Sequence, residues 1–181
     1  MMFINKTLAF STLIAAVMAL LSVVHSGCAY GFSEKGQIAD SIKTVRVNFI
    51  ENRAPYVNPQ LSPTLTDRLR QKINNQTKLS QTNNDNAHLD IRGTITDYSY
   101  TTVGVSTTNG RSQTSTNRLT VTVQVTITNQ LNMQEPPKEF SVSRSFDFDA
   151  RQTIQQVEAQ LLDEMVRNLT DEIFNRLFSD W

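Results

Sequence analysis

From residue 118 to residue 128 the chain alternates without a break. Leu119, Val121, Val123, Val125 and Ile127 point one way, while Thr120, Thr122, Gln124, Thr126 and Thr128 point the other. Only a strand with one buried face has that period of two. Burying five aliphatic side chains contributes on the order of 10 kcal/mol before chain entropy is subtracted. Three further alternations predict strands. Thr44 to Ile50 places Val45, Val47 and Phe49 on one face. Leu89, Ile91 and Ile95 form another, with Gly93 between them; the phase then changes to Tyr98 and Tyr100, which predicts a bulge near Asp97. Phe140, Val142, Phe146 and Phe148 form the last, and Arg144 falls anomalously on their side.

Two segments carry a helical period instead. Leu61, Leu65, Leu69 and Ile73 recur every four residues, with Ser62-Pro63 supplying an N-cap residue and a first-turn proline, and the pattern ends near Asn75. A longer stripe of Ile154, Val157, Leu161, Met165, Leu169, Ile173 and Leu177 predicts a helix from Thr153 to Phe178. Between the elements, Asn52–Pro59 holds two prolines, Gln76–Asn86 is Asn-rich, and Asn129–Lys138 contains Pro136-Pro137. Thr101–Thr116 is rich in Thr, Ser, Gly and Asn, and its centre reads as a mobile hairpin loop. The order is β-α-β-β-β-α. It predicts an α+β two-layer sandwich: a four-stranded mixed sheet with both helices on one face.

The N-terminus has a different pattern. Met1 to Thr7 is short and polar, with Lys6 as its charge; Leu8 to Val24 is uncharged and almost wholly apolar. It ends Val24-His25-Ser26-Gly27-Cys28-Ala29, with small residues before the cysteine as a signal peptidase groove requires. Ser26, Gly27 and Cys28 resemble the lipobox of bacterial lipoproteins, and His25 departs from its usual aliphatic residue. The expected organisation is a signal peptide over 1–27, a tether over 28–41 with its first residue Cys28 acylated, and a domain over 42–181. Two alternatives stay open: cleavage that releases a soluble protein, and retention of the apolar run as a membrane anchor. The first acid after Cys28 is Glu34, which by resemblance to lipoprotein sorting leans towards the outer membrane.

Composition removes several function classes. Lys plus Arg and Asp plus Glu number 17 each, so no basic excess marks a nucleic-acid binder. One cysteine permits no internal disulfide and no multi-cysteine zinc site. His88 is the sole histidine after residue 27 and precedes a strand in a polar loop, the setting of a solvated residue more than of a ligand or base. Ser141, Ser143 and Ser145 alternate along a strand without a nucleophile elbow. Asp147 and Asp149 share a strand face, where solvation is the plainer reading than acid–base or calcium chemistry. No metal, cofactor or catalytic residue is expected; a hydrolase would have only His88 as a base. Two features suit binding: the threonine face of residues 118–128, and the basic set Arg92, Arg111, Arg118, Lys138 and Arg144. Arg111 and Arg118 flank the loop between two strands, where guanidinium groups can meet lipid phosphates bidentately. Ordinary surface charge is the competing reading of that set.

Several strings together carry a resemblance. Phe49-Ile50-Glu51-Asn52-Arg53-Ala54-Pro55 leads into Val57-Asn58-Pro59; Asn117-Arg118-Leu119-Thr120 opens the threonine strand. Phe146-Asp147-Phe148-Asp149 precedes the last helix, which ends Asp171-Glu172-Ile173-Phe174-Asn175 before Trp181. With the lipobox, the chain resembles the LPS-assembly lipoprotein family LptE, in a divergent branch. The resemblance implies a non-enzymatic outer-membrane lipoprotein. Such a protein plugs a β-barrel translocon (LptD-like), helps it assemble, and binds lipopolysaccharide, with its domain facing the periplasm or barrel lumen. It does not fix which residues meet the lipid; Arg111 and Arg118 are named from the basic set alone. The alternative function is a structural or adaptor lipoprotein without lipid cargo.

Overall fold

The computed structural model describes residues 38–108 and 111–178, with 105–108 and 111–115 as backbone only. Cys28, the segment 1–27, most of the tether and Trp181 lie outside the described residues. The elements are β1 (Thr44–Val47), β2 (Glu51–Asn52), α1 (Leu61–Gln76), β3 (Ser80–Gln81), β4 (Leu89–Thr108), β5 (Arg111–Asn129), β6 (Lys138–Asp149) and α2 (Ile154–Phe178). The sheet order is β3-β1-β4-β5-β6, with β2 also paired to β4. β1 lies parallel to β3 and β4, and β2 parallel to β4. β4, β5 and β6 form an antiparallel meander.

One hydrophobic core joins the two layers. Leu65 and Leu69 of α1 and Met165, Leu169 and Ile173 of α2 meet Val45, Ile91, Ile95, Val121, Val123 and Val142 of the sheet. The fold is therefore the expected α+β sandwich with a mixed sheet, its helices on one face. The strand count differs: β2 and β3, two residues each, fall in segments that sequence reasoning reads as connections. Neither is long enough to show a hydrophobic period; only their partners in the sheet define them.

Two of the sheet's one-residue insertions decide which side chains reach the core. Val47 pairs with Ile91 and Glu51 with Thr94, so the β1–β2 side spends one residue more than β4 over the same stretch. The extra residue reverses the face. Ile50 becomes fully buried and Phe49 turns outward at 54% exposure, against the expectation that Phe49 joins Val45 and Val47. Ile50 then lies across Gly93: a Cβ at Gly93 would sit 3.0 Å from Ile50 Cγ1, which explains a glycine inside a strand. The second insertion lies in β4 between Ile95 and Asp97, where the phase change predicts it, and it turns Tyr98 into the core.

Other boundaries differ from expectation. The loop expected over the centre of 101–116 is narrower than expected: β4 and β5 are paired as far as Thr108 and Arg111, and residues 109–110 lie outside the described residues. Threonine suits a strand even without a buried face, and this ribbon extends past the last helix-covered residue. α1 begins two residues early, with Gln60 rather than Ser62 at the N-cap, and no side chain caps it. Instead Asn58 Oδ1 accepts the Gln60 N–H at 2.9 Å. α2 is capped by Thr153. Its Oγ1 accepts the Gln156 N–H, and Gln156 Oε1 accepts the Thr153 N–H at 3.1 Å, a reciprocal capping box. Arg144, the anomaly in β6, lies on the helix side and bonds Glu172 of α2. β6 is a sheet edge, and an inward-facing charge there discourages pairing with another strand.

Candidate functional site

Because both helices cover one face, the other face of the sheet is open. Its centre is a carpet of hydroxyls held by register. Thr120 lies opposite Ser145 and Thr122 opposite Ser143, and both pairs of hydroxyls are hydrogen-bonded at 3.0 Å. The alternation that buries Leu119, Val121 and Val123 necessarily presents these polar side chains to solvent.

Charged groups sit at the two ends of the carpet. At one end, Arg118 binds Asp147 bidentately: Nε to Oδ1 at 2.6 Å and Nη2 to Oδ2 at 2.9 Å. The Arg118 hydrogen bonds hold the Asp147 carboxyl below its usual range. Asp149 is held down to about 2 by hydrogen bonds from the Arg151 side chain and backbone. The paired aspartates are thus each matched to an arginine and are not arranged as an acid–base couple. Arg111 lies opposite Thr108 at the far end of the ribbon, and its side chain is outside the described residues. Seven residues of strand separate it from Arg118, roughly 24 Å at a strand's rise per residue. The two arginines do not form one compact site.

At the other end lies a cluster that the sequence reading missed. The parallel register sets Arg46 of β1 beside Asp90 of β4. Asp90 is only 2% exposed. Its Oδ1 accepts from Arg46 Nε at 2.6 Å and from Asn48 Nδ2 at 2.8 Å, and its Oδ2 from Arg92 Nε at 2.9 Å. Arg46 reaches on to Asp85. Burial pushes the Asp90 carboxyl up, but the hydrogen bonds from Arg46 and Asn48 and the charges of Arg46 and Arg92 outweigh it. The carboxyl stays below its usual range. The one available signal was charge alternating with aliphatics in both strands: Arg46 between Val45 and Val47, and Asp90 and Arg92 around Ile91.

On the helix side, the base of the ribbon carries an aromatic clasp, also missed. Tyr56 and Tyr98 stack with ring centroids 5.5 Å apart. Tyr98 Oη donates to Glu158 Oε1 at 2.9 Å, and Tyr56 Oη donates to Glu158 Oε2 at 3.3 Å. Burial, with Glu158 beside it, raises the Tyr98 phenol far above its ordinary value. Tyr100 and Val103, further along β4, are half exposed.

His88 is tied to the backbone of neighbouring residues. His88 Nδ1 accepts the Lys43 N–H at 3.0 Å, and the His88 N–H donates to Thr44 Oγ1 at 3.0 Å, joining the first strands of the sheet. Among the described residues no cluster of three or more His, Cys, Asp or Glu could hold a metal ion. No described helix is long and apolar enough to cross a membrane.

Comparison with known proteins bears on this arrangement. No curated protein matches. Among solved structures, the chain is similar to the rare lipoprotein B from Shewanella oneidensis, at 15% identity and a TM-score of 0.50, covering 74% of this chain and 93% of that one. It is similar to the hypothetical protein CT253 from Chlamydia trachomatis at 9% identity and a TM-score of 0.50, covering 75% and 95%. These likenesses concern the fold. The family described as "LptE: Lipopolysaccharide-assembly" matches residues 42–177, from ahead of β1 almost to the end of α2. The chain belongs to the LptE lipopolysaccharide-assembly family.

Proposed function

We propose that this protein is a non-enzymatic accessory lipoprotein of lipopolysaccharide assembly. It is anchored in the outer membrane through acylated Cys28 after removal of residues 1–27, and its domain docks against and helps assemble an LptD-like β-barrel partner. The observation that carries the reading is the one-sided sheet in a member of this family. Its helix-free face offers hydroxyls and arginines across a broad surface, which suits contact with another polar β structure or a phosphorylated lipid better than enclosure of a small substrate. Several acyl chains, each buried CH₂ contributing about 0.8 kcal/mol, hold such a domain on the bilayer. Depletion tests the assembly role: surface lipopolysaccharide falls and the barrel partner is lost or misfolded. Purification of the native lipoprotein with no barrel attached refutes it. Cys28→Ala tests the anchor by moving the protein from the membrane fraction to the soluble one.

A second reading has its own support. Arg118 already satisfies its guanidinium on Asp147, so a lipid phosphate has to displace a formed bidentate pair. That favours an adaptor without lipid cargo. Binding of labelled lipopolysaccharide, abolished by Arg111→Ala with Arg118→Ala, decides for the lipid-binding function; no binding by the parent protein decides for the adaptor.

A further inference from the structure

We propose that the cavity beside the C-terminal ends of α1 and α2 receives one acyl chain of an anionic bilayer phospholipid, with the phosphodiester held at its mouth by Lys43 and Lys78. The cavity measures about 360 Å³, and its apolar wall is Ile38, Ile42, Leu79, Phe174 and Phe178. That is the low end of ligand pockets, roughly 300–1,000 Å³, and suits one hydrocarbon chain better than several. Phe174 and Phe178 pack ring against ring near the end of α2, with centroids 5.0 Å apart. Lys43, Lys78 and Asp40 are the charged members of the lining, so two ammonium groups stand against one carboxylate.

The fold brings the segments of the two lysines together where β3 joins β1: the Ser80 N–H donates to the Lys43 carbonyl at 2.9 Å. Elsewhere cations are matched to carboxylates, as Arg46, Arg68, Lys72, Arg118, Arg144 and Arg176 are. Among the described residues Lys43 and Lys78 have no ion-pair partner. A lysine at an apolar rim lays its stem along the wall and keeps its ammonium in water, which puts donors at the mouth of a hydrocarbon-lined cavity. An anionic head on an apolar tail matches that division; a sugar or a nucleotide leaves the apolar wall without a partner. The bilayer as the source follows from the chain: Ile38 is about ten residues from Cys28, at most about 35 Å when extended, so the cavity is held near a membrane surface. This step rests on the Cys28 anchor proposed above. Moving a chain from bilayer to cavity exchanges one apolar surrounding for another, so the lysines and not the tail set the preference.

The test is photolabelling of the native lipoprotein, purified from membranes and reconstituted in phosphatidylcholine vesicles. The vesicles carry, at the same trace mole fraction, either phosphatidylglycerol or phosphatidylcholine with a photoactivatable acyl chain, and labelled residues are read by peptide mass spectrometry. The expected label falls on Ile38, Phe174 or Phe178, and phosphatidylglycerol exceeds phosphatidylcholine by about 25-fold, or about fivefold per lysine. Lys43→Gln with Lys78→Gln brings the ratio near one and leaves the urea midpoint unchanged. Ala39→Trp, at an exposed position of the lining, fills the cavity and removes the label. No label on the cavity wall, a ratio near one in the parent, or a double variant that loses stability with its ratio intact overturns the proposal. Label that appears only after deletion of residues 179–181 assigns the cavity to that segment and overturns it too. Acylation is read on the N-terminal peptide of the same sample. An acylated protein with an unlabelled cavity therefore refutes the lipid site alone, and a labelled cavity on an unacylated chain refutes the anchor alone.

Discussion

The Arg46–Asp90 contact joins a buried carboxylate to a mostly buried guanidinium on the open face, and its removal has a calculable signature. In Arg46→Met the stem still packs but Asp90 loses its 2.6 Å donor. Asn48 remains, as does Arg92, whose side chain is 68% exposed and therefore screened. Leaving a buried carboxylate one charge-assisted hydrogen bond short costs about 1.5–3 kcal/mol. The lost Arg46–Asp85 contact adds little, because Asp85 is fully exposed. The urea midpoint at neutral pH should fall by roughly 1 M. The pH dependence isolates the cause. The Asp90 carboxyl is depressed in the folded protein, so its stabilisation is present above the unfolded value of about 3.9 and is lost as pH falls through the folded value. Without Arg46 the carboxyl is no longer depressed to the same extent, so the variant loses less on acidification. Urea titrations at pH 7 and in steps down to about pH 3 should show the deficit shrinking. A variant within about 0.5 kcal/mol of the parent at pH 7, or a deficit of the same size at both ends of the range, refutes the reasoning.

The other predictions concern single contacts. Gly93→Val should destabilise by about 1–3 kcal/mol through the clash with Ile50. Adding Ile50→Ala should recover roughly 1 kcal/mol relative to the sum of the single changes, measured by a double-mutant cycle in urea. Thr153→Ala breaks one half of the α2 capping box and should cost about 1 kcal/mol by the same assay. The phenol of Tyr98 is raised in the folded state, so stability is intact below the unfolded value of about 10 and falls as pH climbs beyond it. Tyr98→Phe should flatten that alkaline limb, and an unchanged limb assigns it elsewhere.

The layers of this fold were legible wherever burial imposed a period. β5 has helices on one side and solvent on the other, so its sequence alternates cleanly and its face assignments hold at every position from Leu119 to Ile127. Where burial is absent the signal is absent too. Past Tyr98, Tyr100 to Val103 are all exposed, so the ribbon shows a strand's threonines without a strand's alternation and reads as a loop. The face of Phe49 was misread because the inserted residue between Val47 and Glu51 appears only in the register against β4.

The charged clusters fail to show for a different reason. Arg46 and Asp90 are 44 residues apart, and Tyr98 and Glu158 are 60 apart. Nothing local in either segment names its partner; a parallel register and the docking of α2 bring them together. Arg118 sharpens the point. Read alone it is a free guanidinium at a strand end, suited to a phosphate. Placed in the sheet it lies opposite Asp147, two acceptor oxygens already matched to its fork. Charge patterns read along a chain therefore overcount the available cations on an antiparallel face, where cross-strand neighbours neutralise them.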